Sequence, residues 1–285
     1  MSTQIIDGKA LSKRLNKALK IRVDGCDRKP GLAVVLVGVD PASQVYVSMK
    51  GRVAQRIGFQ HRQITLDATT SQNTLLGIID DLNADETIDG ILVQLPLPKH
   101  LNAVEVMDRI DPDKDVDGFS AENSGLLAQG RPKFVPCTPW GVIRMLQDEQ
   151  IETSGLHAVV IGRSNIVGRP MTMLLEQANC TVTVCHSRTK DLAGHVSRAD
   201  IVVAAVGRAE FIRGDWIKPG AVVVDVGVNR VEDGHLVGDV AFEAAAVRAS
   251  RITPVPGGVG PMTIAMLMEN TWKAYCHREK IPTDL

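Results

Sequence analysis

No apolar run of roughly 18 residues occurs in this sequence, so nothing in it reads as a membrane-spanning helix. A charged-then-apolar leader is missing too, and the expectation is an untargeted protein of the cytoplasm with no membrane partner. Lysines and arginines never gather into a run. The 32 basic and 33 acidic side chains leave a formal charge of −1, which argues against a nucleic-acid partner. The cysteines, Cys26, Cys137, Cys180, Cys185 and Cys276, form no C-x-x-C and no Cys/His ligand spacing. They read as reduced thiols, mostly in the core, and no metal is expected. Aromatic residues make up only 4% of the chain, so the core must be aliphatic, as parallel sheets usually are. Internal repeats and low-complexity segments are absent as well.

What is present fits about two domains in 285 residues. Asp7 to Val23 carries Leu11, Leu15 and Leu19 among basic residues, an amphipathic helix. Leu32 to Val39 is a near-continuous apolar strand, and Asp40-Pro41 then caps and opens a helix toward Gly58. Strands over 63–66 and 90–95 and helices over 71–82 and 102–110 continue the alternation. Asp111 to Pro139 is rich in Asp, Gly and Pro and reads as irregular chain. Beyond it, Thr138-Pro139 opens a helix to about Gln150. Strands near 159–161, 181–186, 201–206 and 221–226 follow, and Pro261 begins a last helix through about His277. Alternating strands and helices predict parallel sheets covered on both faces. The expected fold is two α/β domains flanking a cleft, the second a Rossmann-type doubly wound parallel sheet. The first domain is drawn as residues 1–122 plus 271–285, the second as 140–270.

The second domain is read around Ala158 to Leu175. Ala158–Ile161 is a buried strand, Gly162 breaks it, and Gly168 opens a helix with Pro170 in its first turn. Strand, Gly-containing loop and helix is the arrangement that presents amides to a phosphate. The glycines of G-R-S-N-I-V-G stand six apart, however, and do not match G-x-G-x-x-G; the same pattern occurs in α/β proteins that bind no nucleotide. A second strand, Thr181 to His186, starts about 20 residues after Gly162, where an acid would read a ribose 2′-hydroxyl. Ser187 and Arg188 stand there instead, with no acid until Asp191. A hydroxyl and a guanidinium suit a 2′-phosphate, and Arg163 adds another cation, so the expected cofactor is NADP.

Elsewhere, polar residues interrupt apolar patterns. On the helix after Asp40, Val45, Met49, Val53 and Ile57 recur every four residues and are expected to form the buried stripe. Tyr46 and Lys50 share a neighbouring face; a flanking tyrosine and a solvated lysine are the other reading. Gln94 ends the apolar run Ile91–Leu95 and must find partners, catalytic or structural. In Asp111-Pro-Asp-Lys-Asp-Val-Asp-Gly118, the residues Asp111, Asp113 and Asp115 read as an exposed turn, and Asp117 is either the same or a ligand-facing acid.

Six segments together resemble the bifunctional methylenetetrahydrofolate dehydrogenase/methenyltetrahydrofolate cyclohydrolase family: Tyr46-Val-Ser-Met-Lys50, Val93-Gln-Leu-Pro-Leu-Pro98, Asp115-Val-Asp-Gly-Phe119, Pro136-Cys-Thr-Pro139, Gly162-Arg-Ser164 and Pro256-Gly-Gly-Val-Gly-Pro261. They run in order over nearly the whole chain, and that family also uses the six-residue glycine spacing. The resemblance implies that Lys50 is the cyclohydrolase lysine with Gln94 as its partner. It implies that Tyr46 lies against the folate rings and that Asp117 holds the pterin edge. Val93, Leu95 and the run Pro256, Gly257, Gly258, Val259 and Gly260 then line the folate site. Gly162, Arg163, Ser164, Ser187, Arg188 and Val228 hold NADP. The implied reactions are oxidation of 5,10-methylenetetrahydrofolate and hydrolysis of the methenyl product, in a homodimer. A dehydrogenase-only relative, or a nucleotide-binding protein without catalysis, are the alternatives; the first has no need of a basic lysine, the second none of the Tyr/Lys/Gln/Asp set.

Overall fold

The computed structural model describes residues 3–282. They form two units, one of residues 3–13 and 138–263 and one of 14–137 and 264–282. The chain opens with β1 (Gln4–Ile5) and α1 (Gly8–Asp24), the helix within which the boundary falls.

The unit of 14–137 and 264–282 holds β2 (Gly31–Val37), α2 (Pro41–Ile57), β3 (Gln60–Leu66), α3 (Gln72–Ala84), β4 (Gly90–Val93), α4 (Ala103–Arg109) and α5 (Ala121–Ala128). Its sheet is parallel in the order β3-β2-β4, with Val35 paired to Ile64 on one side and to Val93 on the other. A further parallel bridge joins Ile91 to Asp115. All seven residues of β2 are buried, as the unbroken apolar run requires of a central strand. Gly38, at φ +87°, turns the chain out of β2. Asp40 then caps α2 by accepting from the Ser43 N–H at 2.7 Å, Pro41 takes the first turn, and Gly58 closes the helix in the left-handed region. The far side of the unit is tied by Asp89, a fully buried carboxylate. It accepts two bonds from Arg28 (2.9 and 2.8 Å), one from Arg278 (3.1 Å) and one from the Gly31 N–H (2.8 Å).

The other unit holds α6 (Cys137–Asp148, its first residue across the boundary), β5 (His157–Ile161), α7 (Gly168–Gln177), β6 (Thr181–Cys185), α8 (Leu192–Val196) and β7 (Ile201–Ala204). After a 3-10 turn at Gly214–Trp216 come β8 (Val222–Asp225), β9 (Asn229–Arg230), β10 (Leu236–Val237), α9 (Phe242–Ala246), β11 (Arg251–Ile252) and α10 (Val259–Glu279), which leaves the unit after residue 263. Six strands make one parallel sheet in the order β1-β11-β8-β7-β5-β6. From β5 the chain steps outward to β6, then returns to β7 on the other side of β5. That reversal is the switch point at which doubly wound sheets bind ligands. The core beneath it is aliphatic: Val159, Ile161, Val202, Ala204, Val223 and Ile252 are all buried.

Three expectations are corrected here. Residues 3–13 do not sit in the first domain, because β1 hydrogen-bonds to β11 and extends the six-stranded sheet. The stretch 111–139 is not wholly irregular: Ser120 accepts from the Asn123 N–H and starts α5. The buried stripe of α2 is not the one predicted either. Val45 and Met49 are exposed, while Ser43, Val47, Lys50, Gly51, Ala54 and Ile57 face inward. The helix packs through its small residues, with Gly51 so close to β3 that an added Cβ would lie 2.8 Å from the His61 ring.

Candidate active site

In the three-stranded unit, the predicted residues collect at the carboxyl ends of adjacent parallel strands. Tyr46 and Lys50 lie on α2, which leaves β2; Gln94 follows β4 directly; Asp117 follows the bridge at Asp115. Lys50 lies on the buried face of its helix and is only 7% exposed. Its Nζ donates to Gln94 Oε1 at 2.9 Å. Gln94 is fixed in turn, its Nε2 donating to the Leu95 carbonyl at 2.6 Å and its N–H to the Val35 carbonyl at 2.8 Å. The amide therefore presents oxygen, not nitrogen, to the lysine. Burial holds the Lys50 amine below its ordinary range, partly opposed by Asp117 and Cys137.

Asp117 is half-buried. Burial pushes its carboxyl up to about 6, against the attraction of Lys50. The Cys137 thiol donates to the Val116 carbonyl at 3.4 Å, and burial together with the nearby charge of Asp117 keeps the thiol well above its usual range. Behind them, buried Asn270 donates to the carbonyls of Val116 (2.8 Å) and Val135 (2.9 Å) and contacts Cys137 Sγ at 3.7 Å. Asn270 was not foreseen; the signal was the polar run Glu269-Asn270-Thr271 following the apolar run 264–268 in α10, all three of them buried. Tyr46 is half-buried, and desolvation raises its phenol.

Asp115 is no exposed turn residue: it is 1% exposed and accepts from the N–H groups of Gly118, Phe119 and Ser120 and from Asn123 Nδ2. That network shapes the turn on which Asp117 stands. Val93 has its side chain in the aliphatic core, so only its backbone is available to a ligand. Leu95 packs partly on the same core.

The six-stranded unit carries the other candidates. Loop 162–168 joins β5 to α7, Ser187 and Arg188 follow β6, and Val228 follows β8, all at carboxyl ends. Arg163, Ser164, Ser187, Arg188 and Val228 are exposed. Gly162 has φ +124°, and an added Cβ would lie 2.2 Å from the Ala205 carbonyl; at Gly168 it would lie 2.3 Å from the Gly162 carbonyl. Both glycines are thus required by close backbone approach, which accounts for their six-residue spacing. The end of α7 has few donors to offer: the N–H groups of Gly168, Arg169 and Met171 bond to Ser164 Oγ, Ser164 O and Val167 O, and Pro170 has none. The first N–H groups of α7 are therefore already engaged within the chain. Ser164 Oγ accepts from the Val167 and Gly168 N–H groups, leaving its O–H to donate outward. After β6 the first acid is Asp191, whose carboxylate caps α8 by accepting from the Gly194 N–H at 3.0 Å. The acid nearest Ser187 in the chain is thus already engaged as a helix cap.

Pro256 to Gly260 connects β11 to α10 in the same unit. Pro256 is exposed, and Gly257, at φ +115°, turns the chain. Gly258 and Val259 are buried and Gly260 is half-buried. The Gly257 carbonyl accepts from the Lys9 N–H at 2.8 Å, seating the loop on the start of α1.

Comparison with known proteins matches both parts of this arrangement. The catalytic-domain model of the tetrahydrofolate dehydrogenase/cyclohydrolase family covers residues 6–117, and the NAD(P)-binding-domain model of that family covers 136–279. The chain belongs to the tetrahydrofolate dehydrogenase/cyclohydrolase family. It is 58% identical over 277 residues to the bifunctional protein FolD of Dechloromonas aromatica, covering 96% of this chain and 98% of that protein. It is also similar to the bifunctional FolD structure from Campylobacter jejuni (46% identity, TM-score 0.94, 97% of this chain and 100% of that one). A third likeness is to the FolD enzyme of Trypanosoma brucei, complexed with NADP cofactor and inhibitor (39% identity, TM-score 0.94, 98% and 99% covered). Within the family arrangement, Lys50 and Gln94 are in direct contact and Asp117 is electrostatically coupled to Lys50. Among the described residues no cluster of His, Cys, Asp or Glu is placed to hold a metal.

Proposed function

We propose that Lys50, Gln94, Tyr46 and Asp117 carry the folate chemistry of a bifunctional enzyme. The chain oxidises 5,10-methylenetetrahydrofolate to the 5,10-methenyl compound with NADP, and hydrolyses that product to 10-formyltetrahydrofolate. The observation that carries the reading is the buried Lys50 amine held 2.9 Å from an amide oxygen, at the carboxyl ends of β2 and β4. A dehydrogenase-only enzyme would have no need of that amine.

Each residue has a derivable task. The aminopyrimidine edge of a folate offers N–H donors, and the Asp117 carboxylate is an acceptor for them. Tyr46 offers a ring against the flat pterin. NADP, when bound, supplies the hydride acceptor; Gly162, Arg163, Ser164, Ser187, Arg188 and Val228 are the residues proposed to hold it. No protein base is required in that step, only placement. Hydrolysis does require one. With its amine lowered by burial, Lys50 spends more of its time neutral at a given pH, and Gln94 Oε1 engages one N–H. The lone pair of the neutral amine can then take a proton from water as the water oxygen bonds to the methenyl carbon. A substrate cation lowers the amine further. The new hydroxyl then loses its proton as the bond from that carbon to N5 breaks, and a proton delivered to N5 leaves the formyl group on N10.

The test is a pair of assays. Absorbance at 340 nm should rise on adding methylenetetrahydrofolate and NADP, and methenyltetrahydrofolate supplied alone should be hydrolysed. A chain that reduces NADP yet hydrolyses the methenyl compound at the uncatalysed rate would be the dehydrogenase-only relative. A homodimer acting in the cytoplasm completes the proposal, supported by resemblance to the family; a monomer mass in sedimentation would remove the dimer.

A further inference from the structure

In the six-stranded unit, two loops beside the cofactor candidates are fastened by one carboxylate that the chemistry does not use. Asp239 is fully buried. Its Oδ2 accepts from the N–H groups of Val206 (2.6 Å) and Gly207 (2.9 Å). Its Oδ1 accepts from the Arg208 N–H (2.8 Å) and from Asn229 Nδ2 (3.0 Å). Three successive N–H groups converging on one anion form a concavity of the kind that binds phosphate. Here the chain fills it with its own side chain.

The carboxylate is itself positioned. The Asp239 N–H donates to Asp225 Oδ1 at 2.9 Å, and the Val240 N–H donates to Asp225 Oδ2 at 2.8 Å. Two glycines leave room: an added Cβ would fall 2.2 Å from Asp239 Oδ1 at Gly227 and 1.9 Å from Asp225 Oδ2 at Gly238. The segment held, 206–208, leaves β7 at the switch point. It continues from Ala205, whose carbonyl abuts Gly162 of the cofactor loop. The second partner, Asn229, is the neighbour of Val228. Asp239 therefore bonds to the loops after β7 and β8, one of which is packed on the loop after β5.

We propose that Asp239 is a positioning residue for NADP: it sets the loops at the carboxyl ends of β7 and β8 against loop 162–168. The inference rests on the NADP reading above. In Asp239→Asn the shape is kept, but the amide nitrogen must face one pair of N–H donors that the carboxylate had accepted. Those donors repel it and the loops part.

NADP affinity should then fall roughly ten- to hundredfold by calorimetric titration, the range expected when charge-assisted hydrogen bonds are lost. The KM for NADP should rise in step. Hydrolysis of methenyltetrahydrofolate, which uses Lys50 of the other unit and no NADP, should stay within about twofold. Asn229→Ala removes one of the four donors, and a weakening of a few-fold in NADP binding is expected, again without change in hydrolysis. Parental NADP affinity in a folded Asp239→Asn protein overturns the proposal, as does an equal loss of both activities. If Asp239→Asn does not fold, parental NADP affinity in Asn229→Ala overturns it instead. Failure of the parent protein to bind NADP would be a different result, overturning the cofactor reading and this inference with it.

Discussion

At the scale of single residues, burial shifts both groups proposed for the folate chemistry and sets their cost to the fold. Burial raises Asp117 and lowers Lys50, so each is less comfortable charged than it would be in water. For Asp117 the rise from 3.8 to about 6 means that the folded protein binds the proton more tightly than the unfolded chain. Below the unfolded value both states are protonated and nothing is lost. Stability contributed by this group then falls as pH rises from about 4 to 6, by about 3 kcal/mol at the plateau. Asp117→Asn, neutral at every pH, should therefore be more stable than the parent above pH 6 by up to that amount, and equal to it below about pH 3. Thermal melts across that range check the sign; a variant less stable at pH 8 would show that the ionised carboxylate is not strained by burial. The same variant should lose folate binding, and with it the acid limb near pH 6 in the hydrolysis profile. Lys50→Met keeps much of the apolar stem and removes the base. Hydrolysis should fall at least about a hundredfold, hydride transfer less, and methenyltetrahydrofolate should accumulate during turnover. Parental hydrolysis in that variant would end the role of Lys50. Arg188→Ala should weaken NADP roughly ten- to hundredfold and spare NAD, as measured by titration. Equal loss of both would pass the 2′-phosphate to Arg163.

At the scale of elements, the sequence was most legible where one physical signal dominated. The apolar run of β2, the Asp40-Pro41 cap and Gly58 defined α2 at both ends. The central strands of the parallel sheets announced themselves by aliphatic runs, whereas the two-residue β1 and β11 and the polar start of β3 did not. Legibility failed where a signal was conditional on packing. Counting apolar residues in steps of four marked Val45 and Met49 as buried, but the helix instead turns Gly51 and Ala54 to the sheet and takes Lys50 in with them. Small residues permit close approach without registering as hydrophobic, so periodicity passed over the face that matters. Likewise Asp115 looked like a solvated turn residue because its partners are backbone N–H groups, which sequence composition does not display. Ser120 and α5 were hidden in the same acidic stretch. Resemblance, by contrast, picked out Lys50 and Gln94, and the structure brings them into contact. The glycine spacing of loop 162–168 also becomes intelligible only as backbone contact: Gly162→Ala would force a Cβ against the Ala205 carbonyl at an already positive φ. A loss of about 2 kcal/mol or more in stability is expected, with NADP binding abolished and methenyl hydrolysis retained. Parental NADP affinity in Gly162→Ala would mean that this loop does not carry the cofactor.

At the scale of the whole chain, the two family models divide the sequence once, near its middle, whereas the fold divides it three times, within α1, between Cys137 and Thr138 at the start of α6, and within α10. No local signal marks those crossings, because each falls within a helix whose pattern continues through it. The proposed ligands are nevertheless separable, since the NADP candidates belong to the six-stranded unit and Lys50, Gln94 and Asp117 to the three-stranded one. A ligand that binds only the folded state stabilises it by about 2.7 kcal/mol at a hundredfold excess over Kd, which for a chain of this size is a shift of roughly 5 °C. NADP and an unreactive folate analogue should each raise the melting temperature of the parent. Asp117→Asn should lose the folate-dependent shift and keep the NADP-dependent one, while Gly162→Ala should do the reverse. This crossed pattern cannot arise from general destabilisation, which would lower every melt without regard to ligand. Loss of both shifts in either folded variant would show that the assignment of one ligand to each set of residues is wrong.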